Sequence, residues 1–472
     1  MNKQNNKHGP VTAVMMGAGT RGRYAYGSYG VKYPERIDFI GIAEPNHAKC
    51  RIFQEEHDIS EELAFETWED LLARGKIADV AFVCMGDRLH YEPAMQAMDL
   101  GYDLLLEKPI APTLQQCQDL VQKAEETGSL VQVGHVLRFH PFWKKVKEVI
   151  DSGRIGQVIH YDHSENVSYW HFGHSYVRGF YKNKADSNPL ILAKSCHDLD
   201  LMYWNLGKPR EVKASGDLTF YKASNAPPDA PDRCTDGCPH AEECPWYAPR
   251  LYMRGEDLIR IGTESDSALL RFGANLALNH RKFVKFLSYF IKILKTVLNW
   301  QYFPAIALGA DLSREAKKKA LREGQFGKCI YKCDNDVVDH IISTFQFPSG
   351  ATGTLTVHGL SEHEGRELRI FGTKGVLRGY FRHYGEKIWV TDFRYRNEEV
   401  VHESGANLES SHGGADHMLM DQFTAVLLGE KSVEEAGLTT VSSAMESHYM
   451  GFAAQASMEN NKSKQMHDFR PD

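Results

Sequence analysis

Three glycines in VMMGAGTRGR (residues 14–23), Gly17, Gly19 and Gly22, follow a short apolar run and precede a helix-like segment. That is the order a phosphate cradle needs. Gly17 permits a tight turn, and Gly19 lets backbone approach a pyrophosphate. The helix opening at Thr20 and Arg21 offers the phosphates free N–H groups and the positive end of its dipole. Glu44 lies at the end of the next apolar run. An acid there accepts hydrogen bonds from the adenosine ribose and repels a 2′-phosphate, which favours NAD over NADP. Arg21 and Arg23 leave some room for NADP. Further on, Glu107 and Lys108 close the run YDLLLEKPI (102–110). A parallel strand would deliver both to the edge where open α/β sheets bind ligands, and a cis bond before Pro109 would aim Lys108 into that crevice. Taken alone, a lysine before a proline is an ordinary solvated residue.

The nine cysteines divide into two groups. Cys50, Cys84, Cys117 and Cys196 sit in apolar contexts and read as buried free thiols. The other five fall in CTDGCPHAEECPWYAP (234–249) and CIYKCDNDVVDH (329–340). Cys234, Cys238 and Cys244 with Cys333, or with Cys329 in its place, supply four thiolates, so a structural zinc is the first expectation. An iron–sulfur cluster is the second, because Cys238 and Cys244 each precede a proline. Unligated thiols or a disulfide are the alternative, since the spacings match no common zinc ribbon.

Positioning such groups takes a large core. The chain has 472 residues, 42% hydrophobic and 25% charged, enough for two or three domains. A net charge of −7 disfavours a nucleic-acid partner. The polar start MNKQNNKHGPVTAV lacks a signal core, so a reducing cytoplasm is expected. No membrane span is expected either. The nearest approach, FVKFLSYFIKILKTVLNW (283–300), is interrupted by Lys285, Lys292 and Lys295 at roughly helical spacing. It reads as an amphipathic helix packed on the body or on a partner, with a membrane-surface helix as the alternative.

Residues 1–150 alternate strand and helix. The strand-like runs are 11–19, 37–44, 77–85, 102–110 and SLVQVGHVLRF (129–139). Helical runs lie between them, one capped by Thr67 and others closed by Gly101 and Gly128. This predicts a doubly wound parallel sheet, an α/β Rossmann domain. From 151 to 472 the pattern changes to alternating runs at 156–170, 211–223, 339–360, 366–381 and 386–393, then helices at about 413–429 and 439–459. These predict an α+β domain on a largely antiparallel sheet, with a Cys-rich insertion at about 224–330. A broad antiparallel sheet with one open face commonly pairs with a second copy, so a homo-dimer or homo-tetramer is expected.

The glycine fingerprint, EKP at 107–109, VGHVLRFHPFWKKVKEVI (133–150) and GRIGQVIHYD (153–162) together resemble the glucose–fructose oxidoreductase / inositol dehydrogenase / rhizopine-catabolism (Gfo/Idh/MocA) family over most of the chain. The resemblance implies hydride transfer between a nicotinamide and a secondary alcohol of a sugar or cyclitol. It makes Lys108 the group that touches both the reacting hydroxyl and the nicotinamide ribose. A positive charge there lowers the alcohol's pKa and steadies alkoxide character. The proton-accepting group should come from LILAKSCHDLDLMYW (190–204), where the family has D-x-x-x-H. His197 fits the histidine, but the acid position holds Ala193. Lys194, Asp198 and Asp200 are the nearby substitutes, and a cleft with Lys108, Lys194 and His197 would be unusually cationic.

Aromatic and polar residues crowd SYWHFGHSYVRGFYKN (168–183). Tyr169, His171, His174, Tyr176 and Arg178 are expected to form a substrate wall, with a sheet-edge or subunit contact as the alternative. His412 and Asp416, in SSHGGADHMLMDQF (410–423), are expected to enter the cleft from the C-terminal side, unless they merely cap a helix. The leading functional expectation is an NAD-dependent sugar or cyclitol dehydrogenase. The second is a glycosidase or lyase that oxidises transiently, eliminates, adds water and re-reduces. The third is a sensor that binds dinucleotide without turnover.

Overall fold

The computed structural model describes residues 9–265, 267–309, 311–405 and 412–471. Strands β1 (Val11–Met16), β2 (Ile37–Ala43), β3 (Ala64–Phe65), β4 (Val80–Val83), β5 (Asp103–Leu106) and β6 (Val131–Val133) pair in the order β3-β2-β1-β4-β5-β6. Every pairing is parallel. β1 and β4 are buried almost throughout, because helices cover both faces of the sheet. The order in which strands are added reverses between β1 and β4, which opens a crevice at their C-terminal ends. The helices between start and stop where local chemistry dictates. Thr113 accepts the N–H of Gln116 to begin Leu114–Thr127, and Gly128 in the left-handed region ends it. One expectation shortens: in SLVQVGHVLRF only three residues pair. After Val133 the backbone folds back, His135 N–H donating to Val133 O, and the chain turns over Val136–Phe139.

Among the described residues the second sheet has nine strands: β7 (Val158–Ser168), β8 (Glu211–Asp217), β9 (His340–Gln346), β10 (Thr352–Ser361), β11 (Gly365–Gly372), β12 (Gly375–Arg382), β13 (Gly385–Asp392), β14 (Glu398–Gly405) and β15 (Lys464–Gln465). Their order is β14-β13-β12-β11-β7-β10-β9-β8-β15. Only β7 and β10 run parallel. β14 was not expected; its sequence EEVVHESG is largely exposed and lacks alternation, and pairing with β13 alone makes it a strand.

The first sheet's strands run from Val11 to Val133 and the second's from Val158 to Gln465, yet the closing helices lie across both. Phe423 of the helix Ala415–Leu427 packs on Phe82 of β4, and Tyr29 donates to Asp421 at 2.7 Å. On the long helix Val441–Asn460, His448 Nε2 accepts from Ile110 N–H at 3.0 Å and Ser457 Oγ from Ala214 N–H at 2.9 Å. Burial pushes the His448 and His174 imidazoles down to about 3, and those of His57 and His140 to about 4. The unfolded chain therefore binds more protons than the folded one below about pH 6.5. The stability these groups contribute is complete above that pH and is lost as pH falls toward 4. Urea midpoints should drop between pH 6.5 and 4.5, and less steeply in His448→Gln; a flat midpoint contradicts the buried neutral state.

The segment between β8 and β9, where the Cys-rich insertion was expected, contains helices Glu256–Ile261, Ala268–Asn279, Arg281–Leu287, Lys292–Asn299 and Arg314–Glu323 among the described residues. The single helix expected over 283–300 is thus two, broken where Ser288 Oγ turns back to Lys285 O. It does not lay an apolar stripe on the body either. Val284 and Trp300 are buried, but Phe283, Phe286, Tyr289, Phe290 and Ile291 face outward.

Candidate active site

The glycine turn follows β1 directly. Gly17 has φ +96°, and a Cβ there would stand 2.9 Å from the Cys84 backbone. A Cβ on Gly22 would stand 2.0 Å from Gly17 O. At Gly19 nothing lies within 4 Å of where a Cβ would be. The loop is therefore closed beneath and open above. The wide-turned helical segment Thr20–Gly27 begins at Gly19 without a side-chain cap, so its first N–H groups face an anion site. Buried Glu44 braces the loop, accepting from Ala18 N–H at 2.8 Å and Asn46 N–H at 3.0 Å. These residues fit a dinucleotide. Both arginines weighed for a 2′-phosphate have carboxylate partners instead: Arg23 forks onto Glu56 at 2.8 and 2.5 Å, and Arg21 turns inward. Glu44→Ala should weaken NAD binding about tenfold, the size of one charge-assisted hydrogen bond, in a calorimetric titration; unchanged affinity removes Glu44 from the ribose site.

Arg21 joins the two ends of the chain. It contacts Glu107 at 2.7 Å, Asp416 at 2.8 Å and the Tyr26 hydroxyl at 2.9 Å. Tyr26 in turn donates to Glu107 at 2.5 Å. Burial opposes ionisation of Glu107 and of Asp416, but Arg21 helps to outweigh it in both, so both carboxyls fall below the usual range. His412 Nδ1 lies 3.1 Å from Asp416 Oδ1, which ties this imidazole to the same network.

Lys108 follows β5, and the Lys108–Pro109 peptide is cis. Its Nζ donates to Ala193 O at 3.1 Å, at the position where the resembled pattern has an acid. Next to it runs a line of histidine rings. His135 lies 5.6 Å from His197 and 6.0 Å from His448, and His197 lies 5.6 Å from His412. Burial, then Lys108 and His412, hold the His197 imidazole well below the ordinary histidine range. Both of its ring nitrogens are buried with no hydrogen-bonding partner among the described residues. A neutral, unpaired imidazole beside an ammonium can accept a proton from an alcohol held between them.

Two other expected groups are committed elsewhere. Lys194 contacts Glu165 at 3.1 Å and Glu364 at 3.2 Å. Its charge is balanced, so the cleft is not unusually cationic. Asp198 is wholly buried, 2.6 Å from Arg366 and 2.9 Å from His163. One residue along a helix points about 100° away, which turns Asp198 to the sheet when His197 faces the crevice. It supports the helix Cys196–Leu206 and does not face the cleft. Asp200 is likewise engaged, taking both prongs of Arg138 at 2.7 and 2.6 Å. Glu165, Glu364 and Arg366 were missed. Glu165 had a signal, an acid on the same face of β7 as buried Tyr161, His163 and Val167.

The expected substrate wall is only partly at the surface. Arg178 is 1% exposed and donates to Lys328 O, Trp246 O and Cys234 Sγ. His174 bonds the Tyr252 hydroxyl at 2.8 Å and stacks on Phe326, Tyr176 is buried on Phe172, and Tyr169 donates to Asp257 at 2.7 Å. Arg178, His174 and Tyr169 hold the 224–330 segment down through these bonds, and Tyr176 packs inside the fold. His171, 2.9 Å from Glu364, keeps partial exposure beside Lys194.

The two cysteine loops do meet, through a bridge between Arg233 and Lys328. All five cysteines are free thiols, and no group of three or more His, Cys, Asp or Glu side chains among the described residues is arranged to hold a metal. The zinc and iron–sulfur expectations find no support among the described residues. The Arg178 guanidinium donates to Cys234, and the Cys333 thiol donates to Cys329 O, so these sulfurs are turned to protein partners.

A doubly wound sheet, a glycine cradle braced by an acid, and a lysine with an imidazole at the strand ends define an NAD-binding oxidoreductase. Residues 11–135 match the oxidoreductase family NAD-binding Rossmann fold, 143–235 the GFO/IDH/MocA C-terminal domain and 289–466 the oxidoreductase family C-terminal alpha/beta domain. The chain belongs to the GFO/IDH/MocA oxidoreductase family. YteT of Bacillus subtilis, an oxidoreductase by name, is 23% identical over 75% of this chain and 74% of its own length. Inositol 2-dehydrogenase 2 of Saccharopolyspora erythraea is 32% identical over 33% of this chain and 42% of its own, less than half of that relative. A levoglucosan dehydrogenase solved with NADH superimposes with a TM-score of 0.64 at 13% identity, covering 97% of this chain and 99% of that one. An Agrobacterium radiobacter oxidoreductase, solved with NAD+, L-tartaric acid and magnesium, gives 0.62 at 14%, covering 98% and 99%.

Proposed function

We propose that this chain oxidises a secondary alcohol of an uncharged sugar, sugar derivative or cyclitol with NAD+. Bound NAD+ supplies the hydride acceptor, and the chain's residues do the rest. Gly17, Gly19, Thr20 and Gly22 hold the pyrophosphate and Glu44 the ribose. Arg21 and Glu107 fix the floor of the crevice. Lys108 orients the alcohol and stabilises negative charge on its oxygen, and His197 Nε2 or Nδ1 receives the hydroxyl proton. The observation that carries this reading is the unpaired, buried His197 imidazole beside Lys108. The pairing of Lys194 with Glu165 and Glu364 points to an uncharged substrate. Because burial keeps His197 neutral, the acid limb of kcat/KM should fall well below pH 6.5; a limb at or above that value contradicts the assignment.

A second reading has one supporting feature. His412, held by Asp416 on the far side of His197, is an additional proton-transfer group. Elimination and water addition around a transient ketone need such a group. One partial relative, 28% identical over 39% of this chain, is a 2,7-anhydro-N-acetylneuraminate hydratase of Mediterraneibacter gnavus. Free sugars, inositols, sugar acids and aryl glycosides should be incubated with NAD+ while NADH absorbance and aglycone release are followed together. Net NADH from a free sugar or cyclitol supports the dehydrogenase. Aglycone release without net NADH supports the second reading, and NAD binding with neither supports a sensor. We also propose a homo-oligomer formed through the outer face of the second sheet, where Ile159, Ile342 and Leu360 are exposed.

A further inference from the structure

The insertion carries a feature that the active site does not use. Between Asp266 and Asp311 the sequence has six basic residues, Arg271, Arg281, Lys282, Lys285, Lys292 and Lys295, and no acidic one, in a chain of net charge −7. Across the same segment Leu269, Phe272, Phe283, Phe286, Tyr289 and Phe290 are exposed, Tyr289 and Phe290 by 73% and 75%. Phe286 and Phe290 lie 5.7 Å apart at the turn joining the helices Arg281–Leu287 and Lys292–Asn299. Lys282, Lys285 and Lys295 are exposed and have no ion-pair partner among the described residues. No helix among the described residues is long and apolar enough to cross a membrane. Residues 236–288 also lie outside the three family segments.

We propose that this helical turn docks the protein on an anionic lipid surface. The pattern separates that occupant from a second copy of the chain. Protein interfaces deplete lysine at their cores, whereas helices that lie in a bilayer interface combine aromatic and aliphatic side chains with lysines. Lysine stems can lie along the apolar layer while their ammonium groups reach the phosphates. The same insertion places Phe303 against His171 and His174. Docking therefore acts on the segment that packs beside His171.

The test is co-sedimentation of the full chain with vesicles of phosphatidylcholine alone and of equimolar phosphatidylcholine and phosphatidylglycerol. Binding to the anionic vesicles should exceed neutral binding about tenfold and collapse at high salt. It should be lost in Phe286→Ser/Tyr289→Ser/Phe290→Ser and in Lys282→Glu/Lys285→Glu/Lys295→Glu, with thermal midpoint and NAD affinity unchanged. Equal binding to both vesicles, or none, overturns the proposal. So does a wild-type oligomer that binds no vesicles and becomes monomeric in the serine variant, since the patch is then a contact between copies. Should either variant misfold, the lipid-charge and salt dependence of the unaltered protein decides the matter.

Discussion

Lys108→Met is expected to lower kcat about 1,000-fold on whichever alcohol the substrate panel identifies, with NAD affinity unchanged. The lysine ends β5, and its Nζ, bonded to Ala193 O, is the cation closest in influence to His197. Methionine keeps the length and apolar stem and removes the charge. The alkoxide forming as the C–H bond breaks then loses its counter-charge in a buried crevice, where such a charge counts for more than in water. The cradle of Gly17, Gly19 and Gly22 with Glu44 is separate from Lys108, which is why cofactor binding should survive. The lost cation also releases His197 from its second depressing influence, so the acid limb of the residual activity should move toward higher pH. A variant with unchanged kcat removes Lys108 from the chemistry. A loss of NAD binding equal to the loss of turnover makes it a cofactor-holding residue only.

Arg366→Met should cost about 3–5 kcal/mol of stability, read as a large fall in the urea midpoint. Arg366 on β11 serves two carboxylates at once, Asp198 at 2.6 Å and Glu165 at 3.0 Å, each no more than 1% exposed. Burial pushes Glu165 up despite Arg366 and Lys194. Burial opposes the ionised form of Asp198 as well, but Arg366 and His163 hold its carboxyl down. Removing the guanidinium leaves two buried acids sharing His163 and Lys194. Glu165→Gln in the same chain should recover part of the loss, because one of the stranded charges goes with it. Activity should fall through kcat, since Asp198 anchors the helix that carries His197. An unchanged midpoint shows that the cluster is not needed for stability.

The alternation of strand and helix up to residue 130, the glycine turn, the cap at Thr67, the helix end at Gly128, and the rough positions of most second-sheet strands were all legible in the sequence. Each rests on periodicity or on a dihedral preference acting within a few residues. The switch to a β-rich second half was legible for the same reason. What ran short was also local: β6 stops where the backbone folds back at His135, and β14 has no alternation to read.

By itself, then, the sequence determined the two-sheet architecture, the cofactor turn and the candidacy of Lys108 and His197. Only the tertiary structure decided which charged side chains are available to a substrate. Lys194, Asp198 and Arg178 look equally competent along the chain, yet each is engaged by groups far away in sequence: Glu364, Arg366 and Lys328. A side chain's chemistry depends on what neutralises or desolvates it. Those neighbours arrive from other strands and loops when the sheets assemble, so no spacing along the chain encodes them.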